Sequence, residues 1–242
     1  MNISDWSKAP VFYCTTLNQE SFLLGEEETA HCIRVLRMRQ GEKVRVVNGN
    51  GSEVFCEIAD PNPSRCGLLV LETAMDRTRP DYSVHIAMAP PKSADRLEWF
   101  LEKATEIGID RITPLRCDRS ERRDVKPDRL HKVLVSAMKQ SGRAFLPQLS
   151  PMVAFRDFVV GAGTDEAKFI AHCADKPPMH LGKMLKKHSP ITIMIGPEGD
   201  FTSDEISLAH AHAFLSAGLG EARLRTETAA LAATMLVHCA HL

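Results

Sequence analysis

The chain has 242 residues, enough for one or two domains, and its 44% hydrophobic and 25% charged residues exclude collagen, low-complexity disorder and long coiled coils. No apolar stretch approaches the ~18 residues that span a bilayer, and residues 1–10 lack the apolar core of a signal peptide, so we expect a cytoplasmic protein without a membrane segment. The net charge is only −1, but residues 111–143 hold ten Lys or Arg against four Asp or Glu, and residues 31–45 hold five against one. Either run alone is compatible with a solvated helix face, whereas two such runs on an otherwise acidic chain favour a nucleic-acid partner.

The first ~75 residues have the pattern of a small β domain, because short apolar segments alternate there with turn residues. Four strands are predicted, at residues 11–14, 43–47, 52–58 and 67–72. A helix is expected at residues 26–36, and Asn48-Gly49-Asn50-Gly51 can supply the positive φ angles of a tight hairpin. We therefore expect a small antiparallel barrel or sandwich, followed by a linker at residues 77–81 where Pro and charge replace the alternation.

Beyond residue 82, strands alternate with helices. A helix over residues 94–107 is indicated by apolar side chains at helical spacing, and Gly108 supplies its C-terminal stop. A second helix is expected at residues 128–140 and a third at the end of the chain. Strands are predicted at residues 84–89, 111–115, 168–172, 191–195 and 214–217. This order is typical of an α/β fold with a parallel sheet, while residues 147–166 have no assignable pattern.

Cysteine and histidine patterns argue against a metal site or a disulfide. The seven cysteines form no Cys-x-x-Cys pair and no zinc-type spacing with histidine, so we expect reduced thiols. His210 with His212, and His238 with His241, lack a carboxylate or cysteine set that would complete a site. We interpret them as ordinary surface or interface residues.

A glycine-containing loop follows the strand at residues 191–195. The sequence Gly196-Pro-Glu-Gly-Asp200 precedes a capping box formed by Thr202 and Glu205, which begins a helix. Ligands of parallel sheets bind beyond the carboxyl ends of the strands, and glycines let the backbone approach a ligand closely. The loop is therefore a candidate cofactor site, although a plain tight turn would have the same sequence.

A second loop, at residues 219–229, follows the strand at 214–217 and should open on the same edge of the sheet. On residue chemistry alone, Arg223 and Arg225 could form a salt-bridged cap with Glu227. Neither a Walker A sequence nor a Rossmann Gly-x-Gly-x-x-Gly is present, which disfavours nucleoside triphosphates and dinucleotides. The patterns themselves predict a cofactor pocket without naming its chemistry.

Motifs of both loops, and others upstream, recur together in one known family. They are Gly196-Pro-Glu-Gly199, Phe201 with Glu205, Leu219-Gly220, Arg223-Leu-Arg-Thr-Glu-Thr-Ala229, Arg34-Val-Leu-Arg37 with Gly41, Asn48-Gly49 and Gly51, Lys92, Asp95-Arg96, Lys103, Glu106 and Gly108, and Gln140-Ser141 with Arg143 and Pro147. The chain strongly resembles the ribosomal small-subunit RNA uridine-N3 methyltransferases, a family of the trefoil-knotted SPOUT class.

The resemblance implies a fold, a reaction and partners. It implies a PUA-like RNA-binding β-barrel at residues 1–76 and a knotted SPOUT methyltransferase domain at 77–242. The implied reaction is methyl transfer from S-adenosylmethionine to N3 of a specific uridine in the 16S rRNA of the small ribosomal subunit, by a homodimer that needs no metal or membrane. Alternatives are a related ribose 2′-O-methyltransferase and a ribosome-assembly factor that binds RNA without catalysis.

The resemblance also implies site residues. Knotted loops would hold the cofactor through His172, Cys173, Ile195, Gly196, Pro197, Glu198, Gly199, Leu219, Gly220, Leu224, Arg225, Thr226, Glu227, Thr228 and Ala229. RNA would be bound by Arg34, Arg37, Arg96, Arg119, Arg122, Arg123 and Arg143.

For catalysis, we expect Arg225 or Arg119 to stabilise the imide anion or to hold a phosphate, and Glu198 and Glu227 to organise the loops. A structural clamp is the alternative role of Arg225. Most family members have glycine where this chain has Asp200, and aspartate is among the few other residues that tolerate a positive φ.

Overall fold

The computed structural model describes residues 6, 8–17, 20–73, 79–164, 166–173, 178–186 and 189–241. The chain divides into two compact units. The first consists of Met1–Arg79 with Met138–Leu146, and the second of Pro80–Ala137 with Pro147–Leu242.

The first unit is built on a five-stranded sheet with the order β1-β3-β4-β5-β2. Its strands are β1 (Val11–Tyr13), β2 (Ser21–Leu23), β3 (Lys43–Val47), β4 (Glu53–Asp60) and β5 (Gly67–Thr73). Phe12, Val44, Ile58 and Leu68 fill its core. All pairs are antiparallel except β1 with β3, which is parallel. The expectation of a wholly antiparallel sheet was wrong at that pair, since the long connection through β2 and a helix allows β1 and β3 to run in the same direction.

The predicted helix over residues 26–36 is two shorter elements. Helix α1 (Glu26–Ala30) is followed by a π-helical turn, His31–Val35, in which the Leu36 amide donates to the His31 carbonyl. Cys32 in this turn is fully buried. The wider turn explains why a single α-helical period does not describe the segment.

The turn between β3 and β4 has the predicted geometry. Gly49 and Gly51 have φ values of 76° and 106°, and the Asn48 side chain accepts hydrogen bonds from the amides of Asn50 and Ser52. The Gly51 amide donates to the carbonyl of Ala144, which belongs to the returning segment Met138–Leu146 of the same unit. The turn therefore anchors a distant piece of chain as well as joining two strands.

The second unit contains the predicted parallel sheet, with the order β12-β10-β11-β6-β7-β8, and with β9 paired to β7. Its strands are β6 (Ser83–Met88), β7 (Arg111–Arg116), β8 (Gln148–Leu149), β9 (Val153–Ala154), β10 (Ala167–Ala171), β11 (Pro190–Ile195) and β12 (Leu215–Ala217). All of these pairings are parallel. Strands β6 and β11 lie in the interior of the sheet, which explains their nearly continuous apolar sequences.

Helices cover this sheet. They are α2 (Ala94–Ile107), α4 (Phe155–Val160), α5 (Leu181–Met184), α6 (Ser203–Ala211) and α7 (Thr226–Ala240). Helix α3 (Pro127–Gln140) begins in this unit and ends in the segment Met138–Leu146 of the first unit. Helix α2 has its predicted bounds and ends at Gly108, whose φ of 116° terminates it. Helix α7 packs against α2, β6 and β11. No helix in the described part of the chain is both long and apolar enough to cross a membrane.

Candidate functional site

The carboxyl ends of three neighbouring strands, β10, β11 and β12, surround a cavity of about 670 Å³. The loops that follow these strands bring together segments that lie far apart in the sequence. The cavity is lined by Ala171, His172, Cys173, Pro178, Ile195, Gly196, Pro197, Glu198, Asp200, Ala217, Gly218, Leu219, Gly220, Glu221, Ala222, Arg223, Leu224, Arg225, Thr226 and Ala229. Of the residues expected to hold a cofactor, all line this cavity except Gly199, Glu227 and Thr228.

Two close contacts determine the shape of the loop after β11. A Cβ atom at Gly196 would lie 3.1 Å from the Phe201 ring, so a larger residue there would require the ring to shift by a few tenths of an ångström. The Gly196 carbonyl accepts a hydrogen bond of 3.1 Å from the Thr226 hydroxyl at the start of α7. The predicted capping box of Thr202 and Glu205 is present and begins α6. The loop is therefore attached to both helices that follow the cavity segments.

Asp200 joins two of the cavity loops. Its φ is 62°, the left-handed conformation that the family's glycine would adopt without strain. One carboxylate oxygen accepts a hydrogen bond from the Cys173 amide and the other from the Phe201 amide, both at 2.8 Å. The carboxylate thereby ties the loop after β10 to the loop after β11.

Glu198 and Arg119 contact the backbone of the same region. The Glu198 carboxylate accepts from the Lys92 amide at 3.0 Å, and the Glu198 carbonyl accepts from Arg223 at 3.4 Å. Arg119 donates to the Gly199 carbonyl at 2.8 Å. Arg119 lies outside the lining of the cavity, so the structure gives it a contact to the loop rather than to the cavity itself.

Arg225 is the exposed residue immediately before α7, and it lines the cavity. It also lines a second, smaller cavity of about 300 Å³. Glu227, the partner considered for Arg225 in a salt-bridged cap, is buried and lies 3.7 Å from the Arg96 guanidinium. Arg225 is thus placed where it can face a ligand in either cavity.

The arginines expected to bind RNA are divided between the two units. Arg34, Arg37 and Arg143 belong to the first unit, and Arg96, Arg119, Arg122 and Arg123 to the second. Arg34 and Arg37 are exposed. Arg122 donates to the carbonyls of Pro91 and Lys92, which makes it a support for the loop before α2.

Histidines of this region form hydrogen bonds rather than a metal centre. The Ser216 hydroxyl lies 2.8 Å from both His172 Nε2 and His210 Nε2. Within the described residues, no group of three His, Cys, Asp or Glu side chains could hold a metal ion. The cysteines of the described segments are unpaired thiols.

Two side chains that the structure makes notable, His85 and Trp99, were not identified from the sequence. His85 is buried in the middle of β6, within hydrogen-bonding distance of Thr113 and Thr192, and burial lowers its pKa to about 3. Trp99 is 42% exposed on α2 and lines the smaller cavity. The signal for Trp99 was its position outside the apolar face of its own helix.

Comparisons with known proteins agree with this architecture. A family model described as an RNA methyltransferase domain matches residues 78–238, and one described as an RNA methyltransferase PUA domain matches residues 24–70. The ribosomal RNA small subunit methyltransferase E of Bacillus subtilis is 28% identical over 223 residues, which cover 87% of each chain.

Solved structures are similar over nearly the whole chain. A probable rRNA-methyltransferase from Porphyromonas gingivalis superposes with a TM-score of 0.89 and 32% identity, covering 96% of this chain and 98% of that one. A ribosomal RNA small subunit methyltransferase E from Neisseria gonorrhoeae, bound to S-adenosyl methionine, gives 0.88 and 26% with the same coverage. The expected fold class, a SPOUT methyltransferase domain with an N-terminal PUA-like domain, is confirmed.

Proposed function

Because this chain belongs to the RNA methyltransferase family, we propose that it transfers the methyl group of S-adenosylmethionine to N3 of a uridine in 16S rRNA. The observation that carries the proposal is the cavity at the carboxyl ends of β10, β11 and β12, lined by loops from three separate segments. Its lining includes most of the residues expected to hold the cofactor.

The residues of this cavity fit S-adenosylmethionine. Ile195, Leu219 and Leu224 offer apolar surface to the adenine and the methionine chain, and Gly218 and Gly220 leave the backbone accessible. Carboxylates from Glu198, Asp200 and Glu221 give the lining acidic groups, which suit a ligand with a sulfonium and an ammonium group. When bound, the cofactor supplies a methyl group whose C–S bond breaks as the N–C bond forms, and the electron pair stays on sulfur.

The exposure of Arg225 and its place in the cavity lining support a role in assisting the uridine. N3 of uridine is a weak acid and must lose its proton, here to solvent, before its electron pair can attack. The guanidinium of Arg225 would stabilise the resulting imide anion, and we assign it the catalytic role. Arg119 and Glu198 would act through the loop, because their contacts are to the Gly199 carbonyl and the Lys92 amide. Holding the acceptor and the methyl group in line can contribute on the order of 7 to 11 kcal/mol.

In this proposal the two units have different functions, RNA binding and catalysis. The expected domains, residues 1–76 for RNA binding and 77–242 for catalysis, differ from these units chiefly in the segment Met138–Leu146, which belongs to the first unit. The first unit would bind RNA and the second would carry out catalysis, with rRNA phosphates bound by the arginines named above. The active form would be a cytoplasmic homodimer in which α7 contributes to the contact between copies. Met235 supports this role of α7, since it is a large apolar side chain of that helix with 43% exposure.

Mass mapping of 16S rRNA tests the reaction. In a strain that lacks this gene, we expect one methyl group to be missing from a uridine base and to be restored by the purified protein with S-adenosylmethionine. A missing methyl on a ribose would instead indicate the related 2′-O-methyltransferase. Calorimetry with S-adenosylmethionine tests the non-catalytic alternative, because an assembly factor without a cofactor site would give no heat of binding.

A further inference from the structure

The smaller cavity shares a wall with the cofactor cavity. Its volume is about 300 Å³, and its lining consists of Asp95, Arg96, Trp99, Arg225, Glu227 and Thr228. Arg225 belongs to the lining of both cavities. A ligand in the smaller cavity would therefore share Arg225 with a ligand in the larger one.

Trp99 gives the smaller cavity an aromatic surface. It is 42% exposed, whereas Leu97, Phe100 and Leu101 on the same helix are buried in the core. Position 99 lies outside the apolar face by which α2 packs, so the fold does not need a tryptophan there. A large indole exposed beside a cavity with polar walls offers an aromatic surface on which a ligand can stack.

The other walls are charged and held in place. The Glu227 carboxylate is buried and lies 3.7 Å from the Arg96 guanidinium, which places Arg96 at the start of α7. Asp95 and Arg225 add an acceptor and donors of hydrogen bonds. A flat aromatic face next to donors and acceptors matches a nucleobase, which stacks through its π-face and forms hydrogen bonds through its edge.

We propose that this cavity holds the target uracil, extruded from the RNA and stacked on Trp99, so that Arg225 borders both the base and the cofactor. This inference rests on the proposed function, because it assumes a uridine as the methyl acceptor. Extrusion is required chemically, since N3 lies on the base-pairing edge and an enzyme reaches it only in an unpaired or flipped base.

A second copy of this chain is the competing occupant of the Trp99 surface. The lining argues against it, because charged residues are depleted at the centres of protein interfaces, and Asp95, Arg96, Arg225 and Glu227 are all charged. A nucleobase accounts for both the aromatic residue and the charges.

The test compares Trp99→Ala and Trp99→Phe with Val160→Ala, which removes an exposed apolar side chain of α4, outside the linings of both cavities. Small subunits from the deletion strain serve as substrate at saturating S-adenosylmethionine, and calorimetry gives the cofactor affinity. We expect Trp99→Ala to lower kcat/KM for the subunits about 5- to 150-fold, which corresponds to the loss of one base–aromatic stack. Trp99→Phe should recover most of the loss, and cofactor affinity should be unchanged in all three variants.

The outcomes separate the two proposals. Absence of uridine methylation by the wild-type protein would overturn the proposed function itself. Wild-type activity together with an unaffected Trp99→Ala variant would overturn only the base subsite. Sedimentation velocity addresses the competing occupant: a Trp99→Ala variant that dissociates while wild type stays dimeric would assign this surface to a second copy.

Discussion

At the scale of single residues, Asp200 combines a backbone requirement with a side-chain function. Its φ of 62° is costly for most side chains, and its carboxylate accepts from the amides of Cys173 and Phe201. A glycine at this position satisfies the first demand only. In this chain the carboxylate therefore provides a connection between loops that a glycine cannot make.

Substitutions at Asp200 separate the two contributions. Asp200→Gly and Asp200→Ala both remove the accepted hydrogen bonds, but alanine must also adopt the left-handed conformation. We expect Asp200→Ala to be less stable than Asp200→Gly by about 1 kcal/mol in denaturant unfolding. The matched control is Ala213, an alanine that already has a left-handed φ of 66°. Ala213→Gly should stabilise the protein, because it relieves the same backbone strain without removing a side-chain hydrogen bond. Equal stability of the two Asp200 variants would contradict this account.

Arg225→Lys tests whether Arg225 acts on the substrate or supports a loop. Lysine keeps the charge but cannot reproduce the planar, bidentate contacts of a guanidinium. We expect methyl transfer to fall by about 100-fold, the usual cost of one electrostatic donor in an active site, while calorimetry shows nearly unchanged affinity for S-adenosylmethionine. Arg223→Lys is the control, since Arg223 contacts the Glu198 carbonyl of the cofactor loop. Equal losses of turnover and affinity in Arg225→Lys would identify a structural clamp.

At the scale of secondary-structure elements, β6 carries an ionisable group in the middle of the sheet. His85 lies 2.8 Å from the Thr113 hydroxyl on β7 and 3.1 Å from the Thr192 hydroxyl on β11. Burial first, and then the charge of Arg111, lower the pKa of His85 from 6.5 to about 3. The neutral imidazole thus links three adjacent strands.

This histidine makes stability depend on pH. Between pH 6.5 and about 3, His85 is protonated in the unfolded chain but stays neutral in the folded protein. The free energy of unfolding therefore decreases as pH falls through this range. The decrease from this group should be on the order of 2 kcal/mol between roughly pH 6.5 and 5. Urea unfolding of His85→Asn should show a correspondingly flatter dependence, whereas His131→Asn, at an exposed position on α3, should keep the wild-type slope. A wild-type slope in His85→Asn would refute this explanation.

Elements with a clear period were predictable from sequence, and elements fixed by tertiary contacts were not. Helix α2 has its predicted bounds because its apolar spacing and Gly108 define both ends locally. Strands β8 and β9 have two residues each, too few for a pattern, and form only by pairing with β7. The π-helical turn after α1 also escaped prediction, since residues 26–36 read as one helix.

At the scale of the whole molecule, the site depends on strand order, which the sequence does not encode locally. Both candidate loops were predicted at one edge of a parallel sheet, but the adjacency of β10, β11 and β12 comes from the topology. The resemblance to a known family predicted that His172, Gly196 and Leu224 belong to one site. Periodicity alone could not predict this. The smaller cavity, between the starts of α2 and α7, was missed for the same reason.

The concentration of basic residues in two runs is also a property of the whole molecule, and its effect on RNA binding can be measured. Arg123, within the basic run of residues 111–143, lines a cavity of about 610 Å³ whose arginines, Arg116, Arg123 and Arg156, are balanced by the carboxylates of Asp118, Asp204 and Glu205. Any excess of positive charge that attracts RNA therefore comes from the run as a whole and not from this cavity. We expect Arg123→Ala to weaken 16S rRNA binding and to reduce the slope of log K against log salt concentration by about 0.7 to 0.9, the value for one lost phosphate contact. Filter binding at several salt concentrations measures both quantities.

Arg65→Ala removes the same charge from an exposed position outside both basic runs and should leave the slope unchanged. Arg122→Ala provides a second comparison, because its contacts to the carbonyls of Pro91 and Lys92 predict a loss of stability in addition to any loss of binding. Equal slopes for Arg123→Ala and Arg65→Ala would mean that net charge, rather than its concentration in one run, governs the attraction to RNA. A reduced slope for Arg123→Ala alone would assign a phosphate contact to Arg123.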